Sequence, residues 1–460
     1  MQKVKDFFRR RSSATPPCPP GSSNGGGAEG GAAAEGEEGG AGLEDAAVDA
    51  LAAVQEAEGR ASSLAAAIAA RDAGWSPARA RADSADSVAD EAAPEGVRRA
   101  TVADFTLLKV IGKGSFAKVV LVRKKDTGKL YAMKVLNKPA IIKRKQVEHT
   151  KTERNVLARV DHPYIVRCRS AFQTEDKLYF VLDYCSGGEL FFHLSRLGKL
   201  TVEQARVYAA ELALALEHLH GLGVAYRDIK PENMLLDAEG HLKLADFGLA
   251  KDGVTRAEAG ANSLCGTPEY LAPEVLERKG HGTAVDWWGL GMVLYEMLTG
   301  LPPWYTRDKQ KLFRRLRSAP LKFPRGIDPD AASLISALLD RDPTQRLGAN
   351  SADEVKAHPF FAPLNWGALM RREVPAPLNP SDAGLETGEA PNVEENVQRI
   401  AVESSMADPA AAEAAQAELA AAPEGGHFRN FTFDGGDEDS VLTAGLSLEE
   451  LRLAHPPVAS

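Results

Sequence analysis

The chain has 460 residues, a net charge of -9 and a hydrophobic fraction of 44%, so it can build a sizeable core but is a poor general nucleic-acid binder. No run of eighteen apolar residues occurs, which argues against a transmembrane helix. Cys18, Cys168, Cys185 and Cys265 show neither paired nor metal-ligand spacing, which predicts a reducing compartment, the cytoplasm or also the nucleus.

Met1 to Arg11 is basic, contains Phe7-Phe8 and lacks the apolar stretch of a secretory signal. It reads as a solvated basic end or, alternatively, a weak membrane-surface element. Arg9-Arg10-Arg11-Ser12-Ser13 is either a target for an arginine-directed kinase or a chance basic cluster. Residues 1–104 are otherwise a low-complexity region rich in Ala, Gly, Glu, Ser and Pro, too poor in aromatics to offset the entropy of ordering. Gly21 to Gly42 is predicted disordered, and Leu43 to Arg71 a marginal Ala-rich helix.

The composition changes at Phe105. Period-two alternation predicts three strands up to Leu136, with a turn at Asp126-Thr127-Gly128. Between the first two lies Gly112-Lys113-Gly114-Ser115-Phe116-Ala117-Lys118-Val119, whose glycines let backbone amides approach phosphate oxygens closely. A dinucleotide-binding fold would need a helix directly after those glycines; a second strand follows instead. The third strand carries Ala132-Met133-Lys134, and an inward lysine needs a charge partner. The candidate partner is a glutamate on the next predicted helix, around Glu148-His149-Thr150-Lys151-Thr152-Glu153. Taken alone, both residues fit an ordinary surface as well.

Leu178 to Cys185 reads as a buried strand ending at Ser186-Gly187-Gly188. Thr201-Val202-Glu203-Gln204 fits a capping box, and Ala205, Tyr208, Leu212, Leu216 and Leu219 continue with helical spacing to Gly221 and Gly223. Then come Tyr226-Arg227-Asp228-Ile229-Lys230-Pro231-Glu232-Asn233 and, further on, Asp246-Phe247-Gly248. A polar loop ends at Asn262-Ser263-Leu264-Cys265-Gly266-Thr267-Pro268-Glu269-Tyr270-Leu271-Ala272-Pro273-Glu274. Asp286-Trp287-Trp288-Gly289 starts an apolar helix through Leu298, and the helical region ends near His358-Pro359-Phe360-Phe361.

These motifs resemble the AGC branch of serine/threonine protein kinases. Tyr226 in place of the more general histidine, the Leu264–Tyr270 sequence, and Phe428-Arg429-Asn430-Phe431-Thr432-Phe433, similar to the AGC hydrophobic motif, narrow the match. Asp246–Lys251 and Asn262–Thr267 are most similar to the ribosomal-protein kinases, especially their plant-like forms, with relatives of protein kinase B and protein kinase A as the alternatives. The resemblance runs from about Phe105 to Phe433 and implies an α+β, bilobal fold. The N-lobe spans residues 105–183, the C-lobe 186–361 and the C-terminal tail 362–433, with a flexible end at 434–460.

The resemblance also implies roles. Asp228 would take the substrate hydroxyl's proton and Lys230 would reach the moving phosphoryl oxygens. Asn233 and Asp246 would hold Mg²⁺. ATP would be held by Ile111, Gly112, Lys113, Gly114, Ser115, Phe116, Ala117, Val119, Ala132, Lys134, Glu153 and Leu235. Leu182 would lie behind the adenine, and the backbone of Asp183 and Cys185 would bond its edge. Asp286 would brace the catalytic loop, and Arg346 would pair with Glu274. Glu189, Glu232 and Glu296 would face one groove and read arginines in an Arg-x-x-Ser/Thr substrate. Phosphate at Ser263, added by a phosphoinositide-dependent type of kinase, would pair with Arg227. Phosphate at Thr432 would strengthen docking of the tail aromatics on the small lobe. A monomer is expected, since no coiled-coil heptads appear.

Three features depart from the family pattern. Ala117 stands where a third glycine is usual, the tail lacks a Ser/Thr-Pro turn motif (Ser404 or Ser405 would substitute), and residues 1–40 carry no clear acidic-hydrophobic docking signal for a target-of-rapamycin complex. Every group the reaction needs is present, which favours an active kinase; an ATP-binding pseudokinase scaffold is the alternative, with Ala117 as its one support. A small-molecule kinase would not need the Ala272-Pro273-Glu274 segment.

Overall fold

The computed structural model describes residues 100–114, 117–254, 266–380, 428 and 431–435. The predicted disorder and Ala-rich helix before residue 100, Ser115, Phe116, Ser263, Ser404, Ser405 and the chain end all lie outside them.

Strands β1 (Phe105–Lys113), β2 (Ala117–Lys124) and β3 (Leu130–Asn137) form an antiparallel meander, as the alternation predicts. Gly128 makes the tight turn between β2 and β3 with φ of 71°. Helices α1 (Lys138–Lys143) and α2 (Val147–Arg159) follow, then β4 (Cys168–Gln173) and β5 (Lys177–Asp183). β5 pairs with both β3 and β4, and β9 (Phe433–Asp434), from the far end of the chain, adds to the β4 edge. The sheet order is β1-β2-β3-β5-β4-β9. One face of this sheet buries Phe105, Val110, Val120, Val122, Tyr131, Met133, Phe172, Tyr179 and Val181 in a small core of its own. Val119, Lys134, Ala132 and Leu182 alternate onto the opposite face.

The remainder is mostly helical. A short sheet of β6 (Gly188–Glu189), β7 (Met234–Leu236) and β8 (Leu242–Leu244) lies among α3 (Leu190–Leu197), α4 (Val202–Gly221), α5 (Pro273–Leu276), α6 (Ala284–Thr299), α7 (Lys309–Ser318) and α8 (Pro329–Leu338). The capping box at Thr201 forms: its hydroxyl accepts from Gln204 N at 3.2 Å and its own N–H donates to Gln204 Oε1 at 3.0 Å. α6 is buried almost all round and stops at Gly300, whose φ of 83° suits a left-handed helix cap. These helices share one large core, which also receives Phe428 and Phe431.

Candidate active site

Two sheets converge on the site. Lys134, on β3, reaches Glu153 Oε1 of α2 at 2.6 Å and Asp246 Oδ1 at 3.0 Å. Asp246 lies two residues beyond β8 and has φ of 58°, a conformation that the local turn imposes on a non-glycine residue. Burial works against the Lys134 charge, but Asp246 and Glu153 outweigh it and hold its pKa above the ordinary lysine value. Lys134 in turn keeps the Asp246 carboxyl below its usual range. Glu153 is 4% exposed, so desolvation raises its pKa while Lys134 opposes the rise.

The second cluster stands on the loop between α4 and β7. Asp228 is 8% exposed. Its Oδ2 accepts from Lys230 Nζ at 2.6 Å and from Asn233 Nδ2 at 2.8 Å. Its Oδ1 accepts from the Thr267 hydroxyl at 3.5 Å, and that hydroxyl accepts from Lys230 Nζ at 3.1 Å. Burial raises the Asp228 pKa, and Lys230 limits the rise. Beneath the loop, the fully buried Asp286 carboxylate accepts from Tyr226 N at 2.9 Å, Arg227 N at 2.7 Å and His220 Nε2 at 2.8 Å. Arg227 has φ of 70°, so this bracing holds an uncommon backbone conformation. The chain after Thr267 is fixed separately: buried Arg346 binds Glu274 through two bonds of 2.6 and 2.9 Å.

Asp246 and Asn233 fit a hard divalent cation such as Mg²⁺. The Asp246 side chain is 55% exposed and held ionised, and Asn233 commits its amide nitrogen to Asp228, leaving the oxygen as a donor. Ile111, Val119, Ala132, Leu182 and Leu235 are half-buried, as side chains lining an apolar cleft should be. Gly112 pairs with Val119, and Gly114 N donates to Ala117 O at 2.8 Å, closing the loop between β1 and β2; Lys113 is exposed. Ala117 pairs with Leu136 in regular strand and is not among the positive-φ residues, so its methyl group strains nothing. Asp183 bonds Arg169 at 2.7 Å through its side chain. Burial pushes the Cys185 thiol up to about 12, which makes it unreactive at neutral pH.

The three carboxylates expected to face one groove differ in their surroundings. Glu189 pairs in register with Leu235 on β7, and Glu232 lies between Lys230 and Asn233; both are half-buried. Glu296 departs from the expectation. It is fully buried and accepts a hydrogen bond from the Tyr270 hydroxyl, because α6 is buried almost all round rather than presenting a groove-side face.

The tail docks where the hydrophobic motif predicts. Phe428 and Phe431 are each 2% exposed, and the Phe431 ring stands edge-on to Phe180 at 5.2 Å. Arg154, next to Glu153 on α2, donates to the carbonyls of Phe431 and Thr432 at 3.0 and 2.9 Å and lies 5.7 Å from the Phe433 ring. The tail thereby holds the helix that holds Lys134. Thr432 is half-buried. Sequence reasoning missed Arg154 and Thr267. Thr267 sits in a quoted motif, but only the fold brings its hydroxyl to Asp228.

The protein kinase domain family matches residues 105–361, more than half of the chain. A RAC family serine/threonine-protein kinase homolog of Dictyostelium discoideum is 52% identical over 291 residues, 63% of this chain and 65% of that protein. The serine/threonine-protein kinase YPK1 of Saccharomyces cerevisiae is 53% identical over 281 residues, 61% of this chain and 41% of that protein. The human RAC-beta serine/threonine-protein kinase is 50% identical over 284 residues, 61% of this chain and 59% of that protein. The chain thus belongs to the protein kinase family, with a domain of the AGC type. It matches less than two thirds of the length of each of these relatives. They lend no support to the narrower resemblance to ribosomal-protein kinases.

Proposed function

We propose that the chain is an active serine/threonine protein kinase that transfers the γ-phosphoryl group of ATP to Ser or Thr in Arg-x-x-Ser/Thr protein substrates. The observation that carries the proposal is the convergence of Lys134, Glu153 and Asp246 with Asp228, Lys230 and Asn233. Mg·ATP, when bound, supplies the phosphoryl group and the metal charge that neutralises it. Asp228 Oδ2 is occupied by Lys230 and Asn233, whereas Oδ1 has only the long 3.5 Å bond from the Thr267 hydroxyl and keeps a lone pair to accept the proton of the substrate hydroxyl. Its burial-raised pKa brings that base nearer to working pH. Lys230 stays charged, since the Asp228 carboxylate overcomes the burial that opposes its protonation. Glu189 and Glu232 are the groups assigned to the substrate's arginines.

Two phosphates would regulate this site. Burial, then the charges of Arg227 and Lys251, lowers the His149 pKa, so two cations, from the catalytic loop and from the segment after Asp246, act on the same part of α2. That supports phosphate at Ser263 as the activating signal, with a phosphoinositide-dependent type of kinase as its source. Phosphate at Thr432 would act through the docked tail. A monomer in the cytoplasm, or also the nucleus, goes with this reading.

The test is phosphate transfer from Mg·ATP to arrayed peptides, before and after phosphorylation of Ser263. Transfer confined to Arg-x-x-Ser/Thr peptides and raised by that phosphate is expected; Ser263→Ala should stay at basal activity. ATP binding without transfer in either state would overturn the proposal in favour of a scaffold.

A further inference from the structure

Residues 307–325 carry eight cationic side chains and one carboxylate, in a chain whose net charge is -9. α7 turns Leu312, Phe313 and Leu316 inward and leaves Lys309, Lys311 and Arg314 exposed. Lys322 and Arg325, on the loop that follows, are exposed as well.

Helix stability does not account for this pattern. Cations favour the C-terminal end of a helix dipole, yet Lys309 and Lys311 occupy the first turn, which contains no acidic residue. Lys311 and Arg314 are three residues apart on one face, a spacing at which like charges repel. Two neighbouring arginines turn inward instead. Arg315 donates to the carbonyls of Trp304 and Tyr305 at 3.3 and 3.1 Å, and Arg341 donates to those of Leu316 and Ala319 at 2.8 and 2.5 Å.

Position gives the surface a context. α7 packs on α5 and on the turn Pro268–Tyr270, the segment directly after Thr267 of the catalytic cluster. The patch also lacks what other polyanions need. Trp304 is stacked on Trp288 and covered by Arg341, so it offers no platform for a nucleic-acid base. The large apolar side chains exposed among the described residues are Leu108, Leu130, Leu197 and Met370, so the patch has no wedge for a lipid surface.

We propose that the exposed basic surface of α7 and its following loop docks an acidic segment of the protein substrate. This rests on the kinase reading above. The substrate would carry arginines beside its target hydroxyl and a run of Asp and Glu elsewhere on the same polypeptide, so that both ends meet opposite charge.

The experiment compares an Arg-x-x-Ser peptide with the same peptide joined through Gly/Ser spacers of graded length to an Asp/Glu tract. The tract is expected to lower KM roughly fivefold at low salt with kcat unchanged, the sum of a few exposed ion pairs. The double variant Lys311→Glu/Arg314→Glu should abolish that gain and leave the short peptide's kcat and KM intact, which also reports correct folding. Lys311→Gln/Arg314→Gln should abolish part of it. Fluorescence anisotropy of a labelled Asp/Glu-tract peptide, measured in parallel, reads docking without catalysis. If no peptide is phosphorylated, the kinase reading fails and the anisotropy still decides whether the surface binds acidic chains. A tract that changes neither KM nor anisotropy, or a gain that survives both double variants, overturns the inference. Binding of RNA or anionic vesicles that the variants abolish, with no effect of the tract, would assign the surface to another class of partner and overturn it equally.

Discussion

The two halves of the active site are held by different means. Asp228, Lys230 and Asn233 stand on a loop whose backbone is pinned from beneath by Asp286, fully buried and bonded to three donors. The Lys134–Glu153 pair depends on α2, and α2 is gripped through Arg154 by a tail segment 277 residues away in sequence. The first arrangement is part of the large core and changes only if that core opens. The second adds a two-residue strand and a pair of phenylalanines to a sheet edge, and such a small unit can come and go. On the function proposed above, chemistry is fixed in one half and control is available in the other.

Substitutions that break the fixed half should have the largest effects. Asp228→Ala should lower kcat at least about 10³-fold with an unchanged circular dichroism spectrum. Normal turnover would remove Asp228 from its role as base. Asp286→Ala strands one buried and two half-buried donors and should cost about 3 kcal/mol, read as a lower denaturation midpoint. A midpoint within error of the parent protein would mean that the catalytic loop holds itself.

Acid should weaken the same half through His281. Burial, then the Arg227 charge, lowers its pKa from 6.5 to about 4, so folding favours the neutral ring. Its contribution is complete above pH 6.5 and is lost as pH falls towards 4. At pH 5 the loss should be about 2 kcal/mol. Denaturation of the parent and of His281→Gln at pH 7 and pH 5 should therefore differ in slope with pH by that amount; parallel losses would acquit His281. The switchable half should respond less. Phe431→Ala should lower peptide transfer roughly tenfold, a coupling of ordinary size, and increase hydrogen exchange in α2 while the catalytic loop stays protected. Equal loss of protection in both halves would erase the distinction between them.

Much of the site was legible because its parts are local. Asp228, Lys230 and Asn233 lie within one loop, and Thr201 and Gln204 within one helical turn, so residue type and spacing carry the geometry. Glu153 was placed by resemblance, and the ion pair to Lys134 forms. Glu296 was misread as facing the groove, since a glutamate near the end of a helix looks alike in sequence whether that face meets solvent or Tyr270. Arg154 carried no signal beyond its place beside Glu153.

The sequence by itself determined the order of the elements, the chemical groups at the site and the tail motif. The order of the elements follows from periodicity, capping and short spacing, which act between neighbours along the chain; the site groups and the tail motif were read through the resemblance to AGC kinases. Only the tertiary structure decided that Thr267 joins Asp228, that β9 closes on β4, that Glu296 is buried and that the cations of α7 share an exposed face beside the catalytic segment. Each depends on which segments pack together, and burial, which residue type alone does not fix, then sets what a polar side chain can do.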